Sequence, residues 1–241
     1  MAAIDIDMSE FTQKTTLAST DFITGTLADG SAVKIKVSDI ATVVAGMNVQ
    51  TNTHLCSGGI YESVDLGLPS GTLWAKYNVG ATSETDYGDL FAWGATDPYR
   101  LNGSIPIDNT DNYAKSYANT IQHDLYPNED VATVKWGKGW CMPTKAQFQE
   151  LKNNTDGGVW TSISGINGYK FTSSNGNYVF LPASGVIDGL KLESRSAYGI
   201  YHSSTVYSTT NAWGMRLIAN SLIIYGAPRN YGSSIRPVRK K

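Results

Sequence analysis

The chain offers few side chains arranged for bond-making chemistry. Its three histidines, His54, His123 and His202, stand far apart, and none sits in a recognisable nucleophile–base arrangement. His54 falls in a polar linker and His123 in a polar excursion, where a surface imidazole is the simple reading. Cys56 and Cys141 are the only cysteines. They could pair, but two thiols do not make a disulfide scaffold. Carboxylates gather at Asp108, Asp111 and the run Tyr126-Pro127-Asn128-Glu129-Asp130. Oxygen ligands can hold a hard cation, yet this run reads as a solvated loop. The expectation is a non-enzymatic protein with no catalytic residue, no metal and no cofactor.

Binding chemistry is a different matter. Residues Ser196–Ile235 pass without one Lys, Glu, Gln or Asp, and Arg216 and Arg229 are the only charged residues within them. About a quarter of an ordinary soluble segment is charged, so about ten such residues are expected over that length. Tyr, Ser, Asn and Thr fill the space instead. Tyr gives rigid contact area and Ser and Asn give adaptable hydrogen bonds, as in binding loops. The genetic code adds a second observation. Codons of the form NNC encode every residue except Lys, Gln, Glu, Met and Trp. Within Ser196–Ile235 only Trp213 and Met215 fall outside that set. A segment diversified by randomising the adenines of AAC codons has this composition.

The elements that must position such a segment are short. At 241 residues with 41% hydrophobic content and 24 glycines, the chain suits one large β-rich domain with a small appendage. A net charge of −2 gives no reason to expect nucleic acid or an acidic membrane as partner. No apolar run approaches 18 residues, so no membrane insertion is expected. The start MAAIDIDMSEFTQK lacks the basic and apolar regions of a signal peptide.

Residues 1–48 form a distinct small N-terminal attachment or assembly segment. Phe22–Leu27 and Ala32–Val37 alternate in strand fashion around the turn signal Asp29-Gly30. Ser38 can cap a short helix, Asp39–Ala45, which Gly46 would end. Val49–His54 reads as a polar linker. Residues 49–241 follow as one domain. A strand is expected at Thr72–Tyr77, aromatic packing at Asp86–Thr96, and a long polar excursion at 97–130. The firmest helix starts at the capping box Thr144-x-x-Gln147 after Pro143, with Phe148 and Leu151 on its apolar stripe. Strands at Gly168–Ser173 and Tyr178–Pro182 lead into further short strands to the end. The predicted class is α+β, with many short strands and few helices.

Several stretches then resemble one family in order along the chain. Tyr61–Ala75 (YESVDLGLPSGTLWA), Asn78-Val79-Gly80-Ala81 and Tyr87–Gly94 (YGDLFAWG) look like its signatures. Trp136–Thr144 (WGKGWCMPT) is similar to its "WGGxWRMPT" element, with Cys141 at the Arg position. Phe180–Gly185 resembles "FLPAAG", and Tyr201–Thr205 resembles "YWSST" with His202 at the Trp position. Gly232–Val238 resembles the closing "GxSVRPV". Together these are similar to the C-type-lectin-fold modules of gut bacteria and their phages, of the formylglycine-generating-enzyme type. One branch comprises the variable proteins of diversity-generating retroelements, which include phage tropism determinants. Their hypervariable positions lie in the last ~40 residues, the place that Ser196–Ile235 holds here. Leu17–Val44 looks like the attachment segments that begin phage tail-fibre proteins.

The resemblance implies a C-type lectin-like fold with a variable region at about 196–235, displayed for ligand binding. Strand alternation then separates framework from contact positions. Gly199, Tyr201, Ser203, Ser204, Trp213, Met215, Leu217, Arg229, Gly232, Arg236 and Pro237 are expected to be framework. Ala197, Ile200, His202, Val206, Tyr207, Gly214, Arg216, Ile218, Asn220, Ile223, Tyr225, Ala227 and Asn230 are the expected ligand-binding and variable positions. The implied partner is a protein or glycan receptor on a bacterial cell surface, met by a phage or prophage tail protein. Related tail proteins form trimers, so a homo-oligomer fits. The implied location is the virion, or the cytoplasm before assembly. An undiversified bacterial surface adhesion module of the same fold is the alternative. An enzyme of the formylglycine-generating type is a further one, but that activity needs a cysteine pair near the C-terminus, and Cys56 and Cys141 lie elsewhere.

Overall fold

Alternating apolar residues between glycine-rich turns give a chain that is mostly β-structure with few helices. The computed structural model describes residues 61–100, 121–137, 139–189 and 191–241, together with strand segments nearer the N-terminus and at 101–102 and 105–106. The chain divides into two compact units, Met1–Thr53 and His54–Lys241.

In the first unit, β1 (Ile4–Asp5), β2 (Phe22–Leu27) and β3 (Ala32–Lys36) form an antiparallel sheet in the order β1-β2-β3. The expected hairpin is there, with Phe22 opposite Lys36 and Thr26 opposite Ala32. Its turn residues Asp29-Gly30, the expected helix Asp39–Ala45 and the linker Val49–His54 lie outside the described residues, as do Cys56, Asp108 and Asp111.

The second unit begins with β4 (Ser63–Asp65) and β5 (Thr72–Ala75), which pair with each other, and β5 pairs also with the last strand of the chain. Strand β5 is shorter than the expected Thr72–Tyr77. A two-stranded ribbon of β6 (Leu101–Asn102) and β7 (Ile105–Pro106) follows. Helix α1 (Val131–Trp136) is capped by Asp130, and helix α2 (Lys145–Asn153) by the capping box of Thr144 and Gln147. Next come β8 (Val159–Ile163), β9 (Ile166–Thr172) and β10 (Tyr178–Pro182) as one sheet, then the ribbon β11 (Val186–Asp188) with β12 (Lys191–Glu193). The sheet β13 (Tyr198–Val206), β14 (Asn211–Ile218) and β15 (Ser221–Pro228) carries the opening segment. Strand β16 (Val238–Lys240) returns to β5 in the order β16-β5-β4. Gly185 lets the chain turn from β10 into β11: its φ is +81°, and a Cβ there would sit 2.6 Å from the Glu193 carbonyl oxygen.

The two largest apolar cores among the described residues both draw on β5 and the C-terminal sheet. The first joins Trp74, Phe148, Leu151, Tyr169, Phe171 and Leu181 to Tyr201, Met215 and Leu217 of the C-terminal sheet. The second holds Phe91, Trp93, Trp136, Trp140 and Met142. Each such side chain contributes about 1.5–3 kcal/mol when fully buried. Phe148 and Leu151 supply the apolar stripe that the capping box announced. Asp130 departs from its expected place in a solvated loop. It is 4% exposed, and its carboxylate accepts from the Thr133 and Met142 backbone N–H groups.

Arg236 ties these parts together from the interior. It is fully buried, and burial draws it down to about 10, which leaves it charged at neutral pH. Its donors reach Asn78 Oδ1 at 2.8 Å, the Ala75 and Lys76 carbonyls at 3.1 and 2.7 Å, and the Phe180 carbonyl at 2.8 Å. Replacing Arg236 with Met leaves four acceptors without that donor. At about 1–3 kcal/mol for each buried unsatisfied group, Arg236→Met should lower unfolding free energy by at least about 3 kcal/mol in chemical denaturation.

Candidate functional site

The antiparallel register of β13, β14 and β15 decides which side chains share a face. Tyr201 stands opposite Met215, which stands opposite Ile224; Gly199, Leu217 and Leu222 align likewise. These residues point into the first core, against α2 and β9. Tyr201 is held there by donating to the Pro182 carbonyl at 2.8 Å and accepting from Asn78 Nδ2 at 3.1 Å.

The other face bears the alternate set. Ile200 aligns with Arg216 and Ile223, His202 with Gly214 and Tyr225, and Tyr198 with Ile218 and Ser221. Ile200 and Ala227 are fully buried with Val186 and form the floor of this face. Tyr198, Tyr225 and Tyr231 pack over that floor, half-buried. The Arg216 guanidinium lies 5.5 Å from the Tyr225 ring centre.

Alternation therefore found the face but not the depth of each position on it. Arg216, Ile218, Ile223 and Tyr225 are brought together and remain partly accessible. Ile200, His202, Gly214 and Ala227 were expected to contact a ligand, and here the structure corrects the sequence reading. All four are buried, Ile200 and Ala227 in contact with Val186 and with the tyrosines packed against them. A Cβ on Gly214 would already lie 3.0 Å from the Tyr201 carbonyl oxygen and 3.3 Å from Ala227. Val206 is half-buried against the second core. It follows a break in register between His202 and Val206, where Ser203 turns its hydroxyl onto the Trp213 carbonyl.

Three expected positions lie at the margins. Ala197 is exposed just before β13, and Asn220 is exposed between β14 and β15. Asn230 is half-buried, and its carbonyl accepts from the Tyr99 hydroxyl at 2.8 Å. Tyr207, 53% exposed, is elsewhere: its ring meets Trp213 edge-on at 4.7 Å and lies against Gly226. The sequence reading missed two members of the face. Tyr198 was within reach of it, two residues before Ile200 on the same strand. Tyr231 lies beyond the end of β15, where alternation carries no information.

The electrostatics of this face are unusual. Burial raises the Tyr225 phenol well above its ordinary value, and the neighbouring Tyr198 adds to the effect. Tyr231 is raised by burial and by its hydrogen bond with Asp188. The phenols are therefore neutral donors and acceptors at physiological pH. His202 beneath them is fully buried, and neither ring nitrogen makes a hydrogen bond of good geometry. Burial pulls it down to about 4; the Tyr231 backbone opposes that shift, and the Arg229 charge reinforces it. Arg229 itself is fully buried, stacks on Trp93 at 4.3 Å and donates to the carbonyls of Ile121, Ser208 and Asn211.

Nothing in the described residues assembles a nucleophile with a base. Cys141 is an exposed residue with a free thiol; its sulfur contacts the Val238 carbonyl at 3.7 Å, and this packing together with Asp130 raises the thiol to about 11. His123 stacks on Tyr126 at 4.0 Å in an exposed loop. Among the described residues no three His, Cys, Asp or Glu side chains converge as a metal set, and no helix is long and apolar enough to cross a membrane.

His202 gives this face a pH dependence. The unfolded imidazole takes up a proton near pH 6.5, whereas the folded one resists until about pH 4. Between those values the unfolded state binds more protons, so stability falls as pH drops from 6.5 to 4. The loss is on the order of 3 kcal/mol. Denaturation of the wild type and of His202→Gln at several pH values should give a difference that opens through this window and is flat above it.

No protein-family model, curated protein or solved structure matches this chain.

Proposed function

We propose that this chain is a non-enzymatic ligand-binding protein with a C-type lectin-like fold, whose C-terminal region is diversified by a retroelement. One observation carries the reading. Trp213 and Met215 are the two residues in Ser196–Ile235 that NNC codons cannot encode. Both take the inward register of β14, where Met215 is fully buried in the first core. The opposite face carries Tyr198, Arg216, Ile218, Ile223 and Tyr225, every one of which an NNC codon encodes. A mutating system that rewrites the outward face and spares the inward one leaves residues outside the NNC set on the inward side alone, as here. The order of the family-like motifs from Tyr61 to Val238 supports the fold assignment.

The accessible members of the face suit recognition rather than turnover. Half-buried tyrosines present flat apolar area with a polar tip, and an arginine lies beside them. The partner in this reading is a protein or glycan on a bacterial surface, and the first unit attaches the protein to a phage or prophage tail. The raised Cys141 thiol, bonded to a backbone carbonyl, weighs against a cysteine-dependent oxidase.

The neighbouring DNA tests the proposal. A near-copy of the 3′ end should lie beside a reverse-transcriptase gene, with adenines at the codons for Tyr198, Arg216, Ile218, Ile223 and Tyr225. Sibling copies should vary there and keep Trp213 and Met215. A locus with neither repeat nor reverse transcriptase would remove diversification and leave an adhesion module of fixed sequence.

A further inference from the structure

Three arginines serve the C-terminal segment, and two of them are satisfied inside the protein. Arg229 and Arg236 direct their donors at backbone carbonyls and an amide oxygen. Arg216 differs. Its Nε is buried with no acceptor, and no described residue accepts from its terminal amino groups. Its one described partner is the Tyr225 ring. The acidic groups on this side of the sheet do not neutralise it. Asp188 and Glu193 both act on Tyr231, and neither makes an ion pair with Arg216 among the described residues. A half-buried guanidinium without a carboxylate is an incomplete pair, because five donors in a fixed fork match a planar anion.

The surroundings say what kind of molecule brings the anion. Ile223 stands directly opposite Arg216, and Ile218 is two residues along β14 on the same face; both are half-buried. Tyr225 lies beside the cation, and Tyr198 stands opposite Ile218 on the same face. An arginine set among tyrosines and aliphatic side chains is the composition of a protein–protein interface core. The isoleucines offer a sugar no hydrogen bonds, whereas they fit the aliphatic neighbours of an acidic residue in a peptide. The partner meets the face and not the edge of the sheet. On the edge strand β15, Lys152 Nζ donates to the Leu222 carbonyl, Asn211 Nδ2 donates to the Gly226 carbonyl, and the Tyr207 ring covers Gly226. Such coverage blocks strand addition.

We propose that Arg216 binds the carboxylate of an Asp or Glu side chain on a protein partner, with Ile218, Ile223 and Tyr225 receiving the apolar residues beside it. This rests on reading the face as the ligand surface. It applies to this chain and not to siblings with another residue at 216.

The test is NMR titration of the full chain, observing the Arg216 Nε–H resonance and the Tyr225 ring. The probes are the peptide acetyl-Leu-Glu-Leu-amide, its Gln counterpart, trigalacturonate and inorganic phosphate. The Glu peptide should give a saturable shift at both residues and bind at least about tenfold tighter than the Gln peptide, as a charge-assisted bidentate pair requires. It should also bind tighter than either non-peptide anion. Arg216→Lys should weaken this preference and Arg216→Gln abolish it, with Met215 methyl resonances reporting that the core is intact. No saturable shift, equal binding of the Gln peptide, or tighter binding of trigalacturonate or phosphate would overturn the assignment. The gene-neighbourhood result is independent, so a chain that is diversified yet indifferent to carboxylates would sink this inference alone.

Discussion

A guanidinium taken out of water without a carboxylate partner destabilises a fold unless its donors find acceptors. Arg236 meets that condition with oxygens from two separated parts of the second unit. Ala75 ends β5 and Lys76 and Asn78 follow it, while Phe180 belongs to β10. Asn78 in turn donates to the Tyr201 hydroxyl, and Tyr201 donates to the Pro182 carbonyl beside Phe180. One buried network therefore fixes β5, β10 and β13 with respect to each other. Pairing of β16 with β5 sets the position of Arg236 itself, two residues before that strand. Because these bonds use mostly main-chain carbonyls, they constrain the neighbours' backbone more than their side-chain identity.

This arrangement gives the C-terminal sheet two faces with different obligations. The inward face carries Tyr201, Met215 and Leu217, which meet Phe148 and Leu151 of α2 and cannot change volume without leaving a cavity. The outward face has a floor and a covering layer. Ile200, Ala227 and Val186 form the floor, and His202 is buried at the same level. Tyr198, Arg216, Ile218, Ile223 and Tyr225 lie above and are only partly buried. Substitutions in the covering layer alter what the protein touches at little cost to what holds it together. Side chains on a rigid sheet are also held more precisely than side chains on a loop.

Legibility in the sequence followed the range of the physical signal. The capping box at Thr144 and Gln147 and the alternation of β14 are local, and both were readable. Asp130 was misread because an acidic run resembles a solvated loop; only the fold brings the Met142 amide to its carboxylate. The same limit applied to the outward face of β13–β15. Period two placed Ile200, His202 and Gly214 on one side of their strands but could not reveal that they are buried there, Ile200 against Val186 of β11. Tyr231 itself follows a turn, beyond the reach of any strand periodicity. Ala227 was buried by neighbours distant in sequence for the same reason.

The central claim is that one face of β13–β15 can be rewritten while the other cannot. A paired library experiment measures this directly. One library places NNC codons at Tyr198, Arg216, Ile218, Ile223 and Tyr225, and the other places them at Tyr201, Met215 and Leu217; each is sorted for protease resistance. Most members of the first library should stay folded and few of the second. Equal losses in both libraries would contradict it.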